Sequence, residues 1–181
     1  MALREIVLNG QPILRRRAIK LQDFGRSTNA LIDDMLETMT AASGVGLAAP
    51  QVGERYRLFV ARLPEEADEA MIEKMGDARG QTFVFANPKI IKRSRETVED
   101  VEGCLSIPGI SGTVERHQEI VVTGQDRNGA PQRVKAKGWL ARVFQHEIDH
   151  LDGRLFIDIA TRIWEDEAPA EENPADPAAA H

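Results

Sequence analysis

Gly138-Trp139-Leu140-Ala141-Arg142-Val143-Phe144-Gln145-His146-Glu147-Ile148-Asp149-His150-Leu151 is the stretch on which the reading of this chain turns. Its apolar residues recur at helical spacing, and Gly153 supplies a stop, so the sequence predicts a helix over 138–151. At about 100° per residue Trp139, Leu140, Val143, Phe144, Ile148 and Leu151 form one broad apolar face. Arg142, Gln145 and Asp149 point the opposite way. His146 and His150 border the apolar face, while Glu147 lies inside it. Two histidines four residues apart stack on one side of a helix, where both imidazoles reach one metal ion with Glu147 beside it. A chance HExxH in a chain this poor in histidine is expected on the order of once in a hundred sequences. The plain alternative is an exposed helix with two surface histidines. It leaves the position of Glu147 unexplained, because burying an unpartnered carboxylate costs several kcal/mol in its charged form.

Two imidazoles and a base need a third ligand. In the extended HExxHxxGxxH pattern it would fall at position 156, which is Phe156 here, and Glu165 and Glu167 lie in a Pro-rich stretch. The ligand is therefore sought upstream. The single cysteine, in Glu102-Gly103-Cys104-Leu105-Ser106-Ile107-Pro108, is the stronger candidate and His117 the weaker. A lone Cys is commonly a small core residue, but this one stands between glycines and prolines in a constrained loop, off any periodic apolar face. A third constellation is Gly44-Val45-Gly46-Leu47-Ala48-Ala49-Pro50-Gln51-Val52-Gly53. Small residues there permit close approach of another chain, and the Gln51 amide is a donor suited to a developing oxyanion. With neither a Lys-Ser/Thr ending nor a GxGxxG pattern, a phosphate loop is excluded.

Elsewhere the elements are mixed. Leu31, Ile32, Met35, Leu36 and Met39 mark a helix capped by Ser27 or Thr28 and stopped near Gly44. Residues 57–61, 82–86, 89–92 and 119–123 read as short strands. Asn128-Gly129 reads as a two-residue hairpin turn leading to a strand near Val134, so neighbouring strands are antiparallel. Residues 64–80 read as a loop or a short exposed helix.

The chain has 181 residues and a formal charge of -6, which fits one domain and argues against a nucleic-acid binder; no DNA partner is expected. Arg15-Arg16-Arg17 reads as a solvated face. The stretch from Glu165 onward is rich in Asp, Glu, Pro and Ala, without Lys or Arg. It is expected to be a disordered acidic tail (165–181) behind a single metallohydrolase domain (1–164). With one cysteine, no basic-then-apolar start and no apolar run of spanning length, the expectation is a cytoplasmic protein without a membrane partner.

Gly44-x-Gly46-x-Ala48-Ala49-x-Gln51, Glu102-Gly103-Cys104-Leu105-Ser106 and Gln145-His146-Glu147-x-x-His150 together resemble the three motifs of the peptide deformylases, in order and over nearly the whole chain. Gly138-Trp139 and Ala141-Arg142 look closer to the branch that includes mitochondrial deformylases. At the N-terminus, Gly10-Gln11-Pro12 stands where many members have a Pro-Asp-Pro turn. The resemblance implies an α+β fold, antiparallel sheets around the helix carrying HExxH. It implies hydrolytic removal of the formyl group from N-terminal formyl-methionine of nascent polypeptides, met at the ribosome. Cys104, His146 and His150 would hold one metal ion per chain, Fe(II) in the cell with Zn, Ni or Co as substitutes. Glu147 would be the general base, Gln51 and the Leu105 N–H the oxyanion donors, Val45 and Gly46 the lining of the substrate cleft, and Glu102 a supporting residue. Arg142 either borders that cleft or makes surface ion pairs. Rival classes are a metallo-endopeptidase or other amidase built on the same HExxH, a Cys104 nucleophile, and a non-catalytic metal-binding or ribosome-docking module.

Overall fold

The computed structural model describes residues 2–66, 69, 73 and 78–166. Most of the 64–80 connection and the tail from 167 lie outside the described residues. The elements run α1 (Arg26–Ala41), β1 (Gly46–Ala48), β2 (Leu58–Arg62), β3 (Thr82–Arg93), β4 (Thr97–Cys104), β5 (Ile107–His117), β6 (Glu119–Gln125), β7 (Pro131–Lys137), α2 (Gly138–Leu151) and β8 (Arg162–Glu165). They form an α+β fold with two antiparallel sheets, one in the order β1-β2-β3-β6-β7 and one in the order β4-β5-β8. No helix among the described residues is long and apolar enough to cross a membrane.

The five-stranded sheet is clothed by a helix on each face. On one face α2 lays Leu140, Ala141, Phe144, Ile148 and Leu151 against Phe59, Ala61, Phe85, Ile120, Val122 and Ala136. Phe144 meets Phe59 and Phe85 at centroid distances of 5.3 Å, tilted or edge-on, the arrangement that the ring quadrupole favours. On the other face α1 packs Leu31, Ile32, Met35 and Met39 against Leu47, Leu58, Val60 and Ala86. A smaller core of Leu14, Ile107, Val114, Leu155 and Phe156 backs the three-stranded sheet.

The expected elements hold with four corrections. First, α1 begins at Arg26 behind Gly25, with no side-chain cap. Thr28 Oγ1 instead donates to the Asp23 carbonyl at 2.8 Å, so neither Ser27 nor Thr28 caps it. Second, the runs 82–86 and 89–92 belong to one twelve-residue strand. Its register against β6 shifts around Asn87, a left-handed residue (φ 52°) whose side chain bonds Leu21 and Gln125. Third, Asn128-Gly129 sits in a five-residue loop, since Gln125 pairs with Pro131. Asp126 Oδ1 accepts the amides of Asn128 and Ala130 and widens the turn, leaving only Gly129 at positive φ. Fourth, β1, β4, β5 and β8 were not anticipated, β4 and β5 because only isolated apolar residues such as Val114 mark their inner face, and Cys104 is the last residue of β4 rather than part of a free loop. Glu165, counted with the tail above, pairs with Ile110 at the end of β8.

Phe144→Ala would empty the aromatic junction that seats α2. The expected loss is about 3–5 kcal/mol of stability, read as a lowered urea midpoint with an unchanged slope.

Candidate metal centre and cleft

Contrary to the helical-wheel reading, the polar side of α2 does not face solvent. Arg142, Gln145 and Asp149 follow one another at helical spacing and all three reach the β4–β5 pair. Arg142 donates to Glu102 Oε1 at 2.9 Å and to the carbonyls of Val114 and Val98 at 2.8 and 2.7 Å. Gln145 exchanges hydrogen bonds with the backbone of His117, while Asp149 pairs with Arg116. The helix is therefore clamped between two sheets, apolar on one side and ion-paired on the other. Arg142 is buried in this contact and also lines the cleft described below; it makes no surface ion pair.

That clamp sets Cys104, at the end of β4, against the two histidines. Cys104 Sγ lies 3.2 Å from His150 Nε2, and His150 Nε2 lies 3.2 Å from His146 Nε2. One ligand atom from each residue falls within 4.8 Å of the others, the only such trio found among the described residues. His117 is elsewhere, its Nδ1 against the Ser94 carbonyl at 2.9 Å. Of the two upstream candidates, the structure brings Cys104 to the histidines.

Glu102 is the hub of the clamp. Arg116 grips both its oxygens at 2.8 and 2.9 Å, Arg142 adds a third donor, and His146 Nδ1 lies 2.9 Å from Oε2. Burial alone would raise its carboxyl; the donors from Arg116 and His146 outweigh burial and hold it well below the carboxylate range. Arg116, likewise buried, is raised because Glu102 and Asp149 more than offset desolvation. The ionised Glu102 accepts a hydrogen bond from His146 Nδ1–H, which orients the ring so that Nε2 is the atom facing His150.

Glu147 is 3% exposed, and its Oε2 and the Nδ1 of His150 are buried without partners. Desolvation pushes the Glu147 carboxyl up to about 7 and, with the charge of His146, holds His150 well below an ordinary histidine. For His146 burial acts downward, but hydrogen bonds to Cys104 and Glu102 raise it well above. Gln51 stands in a short turn, Ala49–Val52, behind β1. Its Oε1 accepts the Ala48 amide at 2.8 Å, which fixes the amide so that Nε2 faces Ser106 Oγ (3.2 Å) and Cys104 Sγ (3.5 Å).

These groups share a cavity of about 360 Å³, lined on one side by Val45, Gly46 and Gln51 and on the other by Cys104, Leu105 and Ile107, with His146 and Glu147 on the wall given by α2. Of the residues expected at the site all but His150 line this cavity, and His150 adjoins it through Cys104 and His146. The donor set of one sulfur and two imidazole nitrogens, held by a buried carboxylate behind one ring, fits a borderline transition-metal ion such as Zn or Fe. Sequence reasoning missed Arg116, Asp149 and Ser106. The need of a buried Glu102 for partners signals Arg116 and, through it, Asp149; nothing in the sequence signals Ser106, which meets Gln51.

The sequence profile of the polypeptide deformylase family matches residues 3–165. The chain belongs to that family. A peptide deformylase of Thermus thermophilus is 49% identical over 84% of this chain and 80% of its own, and one of Symbiobacterium thermophilum is 45% identical over 90% and 69%. The crystal structure of the Ehrlichia chaffeensis peptide deformylase in complex with actinonin superposes with a TM-score of 0.81 at 40% identity, covering 90% of this chain and 91% of that one. The chain is accordingly a metal-dependent amide hydrolase of deformylase type, acting on the N-terminal formyl-methionine of nascent polypeptides and releasing formate.

A Cβ at Gly46 would stand 2.2 Å from Glu147 Oε1 and 2.7 Å from its carboxyl carbon. Gly46→Ala must therefore push the carboxylate aside. Circular dichroism is expected to stay native while kcat/KM on a formyl peptide falls about 100-fold or more, the usual worth of a positioned base.

Proposed function

We propose that deformylation by this chain rests on one divalent ion held by Cys104, His146 and His150, with Glu147 as the proton carrier. The observation that carries this reading is the buried, unpartnered Oε2 of Glu147 beside the sulfur–imidazole trio. Bound there, an ion facing one thiolate and two neutral imidazoles keeps a net charge of +1, polarises the formyl carbonyl and brings a water toward ionisation near neutral pH.

The side chains do the rest. Glu147 takes a proton from the attacking water at Oε2 and returns it to the amine nitrogen that leaves as formate departs. Its raised pKa suits both halves of that transfer. Gln51 Nε2, held inward by the Ala48 amide, and the Leu105 N–H donate to the oxygen that gains charge as the formyl carbon becomes tetrahedral. One such donor is typically worth about 2.7–4 kcal/mol of barrier. Glu102 keeps the His146 ring in the tautomer that leaves Nε2 free for the ion.

The peptide is held as an added strand beside β1, an edge strand of its sheet, with Val45 and Gly46 at the contact and the methionine side chain in the apolar part of the cleft. The closeness of Gly46 to Glu147 leaves room for a formyl hydrogen and little for an acetyl methyl. Fe(II) is the proposed native ion, with Zn, Ni or Co able to replace it. Residues 1–164 form the single catalytic domain, its last strand running one residue further, and the acidic remainder is a tail. The place of action is the cytoplasm, at the ribosome.

Three measurements test this. Formyl-Met-Ala is expected to be hydrolysed, with acetyl-Met-Ala and an internal peptide untouched; equal cleavage of all three would sink the reading. Chelation is expected to abolish turnover, and added Fe(II), Co or Ni under anaerobic conditions to restore it. Activity indifferent to chelators would instead favour a Cys104 nucleophile. Glu147→Gln is expected to lose about 100-fold or more in kcat with metal content unchanged, and a variant as active as the wild type would remove Glu147 from the mechanism.

A further inference from the structure

Leu105 and Ser106 form the turn between β4 and β5, since Cys104 pairs directly with Ile107 across them. Hairpin turns ordinarily stand in solvent, and Ser is common in them because its hydroxyl can bond nearby backbone. Ser106 departs from that pattern, with an exposure of 0%. The tip of the hairpin is pressed against the segment that carries Gln51, so a turn of the three-stranded sheet closes on the turn that follows β1. Three contacts make the junction. The Asn9 amide donates to the Ser106 carbonyl at 2.8 Å and the Val7 amide to the Gln51 carbonyl at 2.8 Å, so one short N-terminal stretch straps the two backbones together. Leu105 lays its side chain where Gly44 has none; a Cβ there would stand 2.7 Å from Leu105 Cδ1. The third contact joins two buried side chains, with Gln51 Nε2 donating to Ser106 Oγ at 3.2 Å.

A glutamine amide offers two protons and one carbonyl oxygen. For Gln51 the oxygen is engaged by the Ala48 amide at 2.8 Å, which anchors one end and leaves the group free to swing about that bond. Giving one Nε2 proton to Ser106 removes this freedom. The other proton is then directed to the side of Cys104 Sγ, 3.5 Å away, where the cleft lies. A serine kept only for its turn would spend its hydroxyl on the turn's own backbone. Among the described residues the Ser106 hydroxyl meets Gln51 and no backbone group of that turn.

We propose that Ser106 is a positioning residue for deformylation: its hydroxyl oxygen holds the Gln51 amide so that the free Nε2 proton and the Leu105 N–H converge on one oxygen. This rests on the function proposed above, in which those two groups are the oxyanion donors. They come from different sheets, and donors act together only while their spacing is held to a fraction of an ångström. Ser106 follows Leu105 directly in the chain, so a bond from Gln51 to Ser106 ties one donor to the other. Ser106 does not line the cleft and acts only through Gln51. The effect is kinetic. A neutral formyl oxygen is a weaker acceptor than the oxyanion that replaces it, so a displaced donor is felt in the transition state more than in peptide binding.

The test uses the full metal-loaded chain as wild type, Ser106→Ala, Gln51→Ala and the double variant, with formyl-Met-Ala as substrate. Ser106→Ala removes one oxygen and adds nothing to a filled interior. It is expected to lower kcat about tenfold or more while KM stays within about twofold and metal content is unchanged. Gln51→Ala is expected to lose about 100-fold or more in kcat. In the Gln51→Ala background, Ser106→Ala is expected to cost less than about twofold further, because nothing remains for it to position. A serine that only supports the fold would lower kcat by the same factor in both backgrounds. That additivity would overturn the proposal, as would a Ser106→Ala enzyme as fast as the wild type. A Gln51→Ala enzyme as active as the wild type would remove the oxyanion role of Gln51 and this proposal together; loss in Gln51→Ala without loss in Ser106→Ala leaves that role standing and removes Ser106 alone. A readout apart from turnover comes from proton–nitrogen correlation spectra of the zinc-loaded chain, with the Gln51 side-chain amide assigned by its absence from Gln51→Ala. Its protons are expected to exchange with solvent slowly in the wild type and about tenfold or more faster in Ser106→Ala. Wild-type exchange at the rate of the exposed Gln22 would overturn the proposal without recourse to any variant at position 106.

Discussion

One carboxylate organises this molecule. Glu102, at the end of a strand that carries almost no apolar residue, accepts hydrogen bonds from Arg116 on β5 and from Arg142 and His146 on α2. Without those donors a charge buried to this degree would cost several kcal/mol. The ion pairs need not stabilise the fold on balance, since a buried pair often does no better than well-packed apolar groups. Their value is directional. They fix the three-stranded sheet against the helix in a single register, and that register decides whether the sulfur of Cys104 meets the imidazoles of His146 and His150 or misses them. Loss of one partner leaves an uncompensated charge in the interior, so the arrangement is all-or-none.

The second sheet and the helix therefore meet through polar groups, while the first sheet and the helix meet through apolar ones. This division explains what could be read from residues alone. The apolar stripe of Leu140, Phe144, Ile148 and Leu151 gave the limits of α2 correctly and placed Glu147 inward. The same wheel sent Arg142, Gln145 and Asp149 to solvent, because a pattern rule equates polar with exposed. Nothing in the period of the helix distinguishes a polar face that meets water from one that meets buried carboxylates and strand carbonyls. β4 and β5 escaped notice for the same reason: their contacts to α2 run through Glu102, Arg116 and backbone oxygens, so only isolated apolar residues such as Val114 mark their inner face. The metal trio itself was legible, since HExxH and one constrained cysteine leave few alternatives. The residues that make the trio possible were not.

Local rules are broken most sharply where the chemistry is. Glu147 is buried without a partner for Oε2, His150 keeps an unpartnered Nδ1, and Gly46 accepts the loss of a side chain so that Glu147 can lie against its backbone. Each is a cost in the folded state, and together they fall within one small cleft, which is the distribution expected when stability has yielded to function. Elsewhere the polar groups are mostly well satisfied. Asn87, in a left-handed conformation, uses both ends of its amide, and Asp126 binds two amides of its own turn.

The two faces of the five-stranded sheet then serve different ends. α1 and α2 cover opposite faces of its β1–β2 end, where close apolar contact holds the short turn bearing Gln51 beside the cleft. Toward β7 the covering stops on the outer side, and the chain could have filled those positions with any soluble residue. Mixed charge would have served solubility best, because interspersed signs avoid a one-sided field. The positions hold Lys or Arg on β3 and β7 instead, with Thr123, Val121 and Glu119 on β6 between them. In a chain whose acidic groups outnumber its basic ones, 29 to 23, random placement would tend to put anions there. β7 is an edge strand and β3 loses its neighbour β2 beyond Ala86, so both cation-bearing stretches are open on one side, where charged side chains oppose the addition of a further strand.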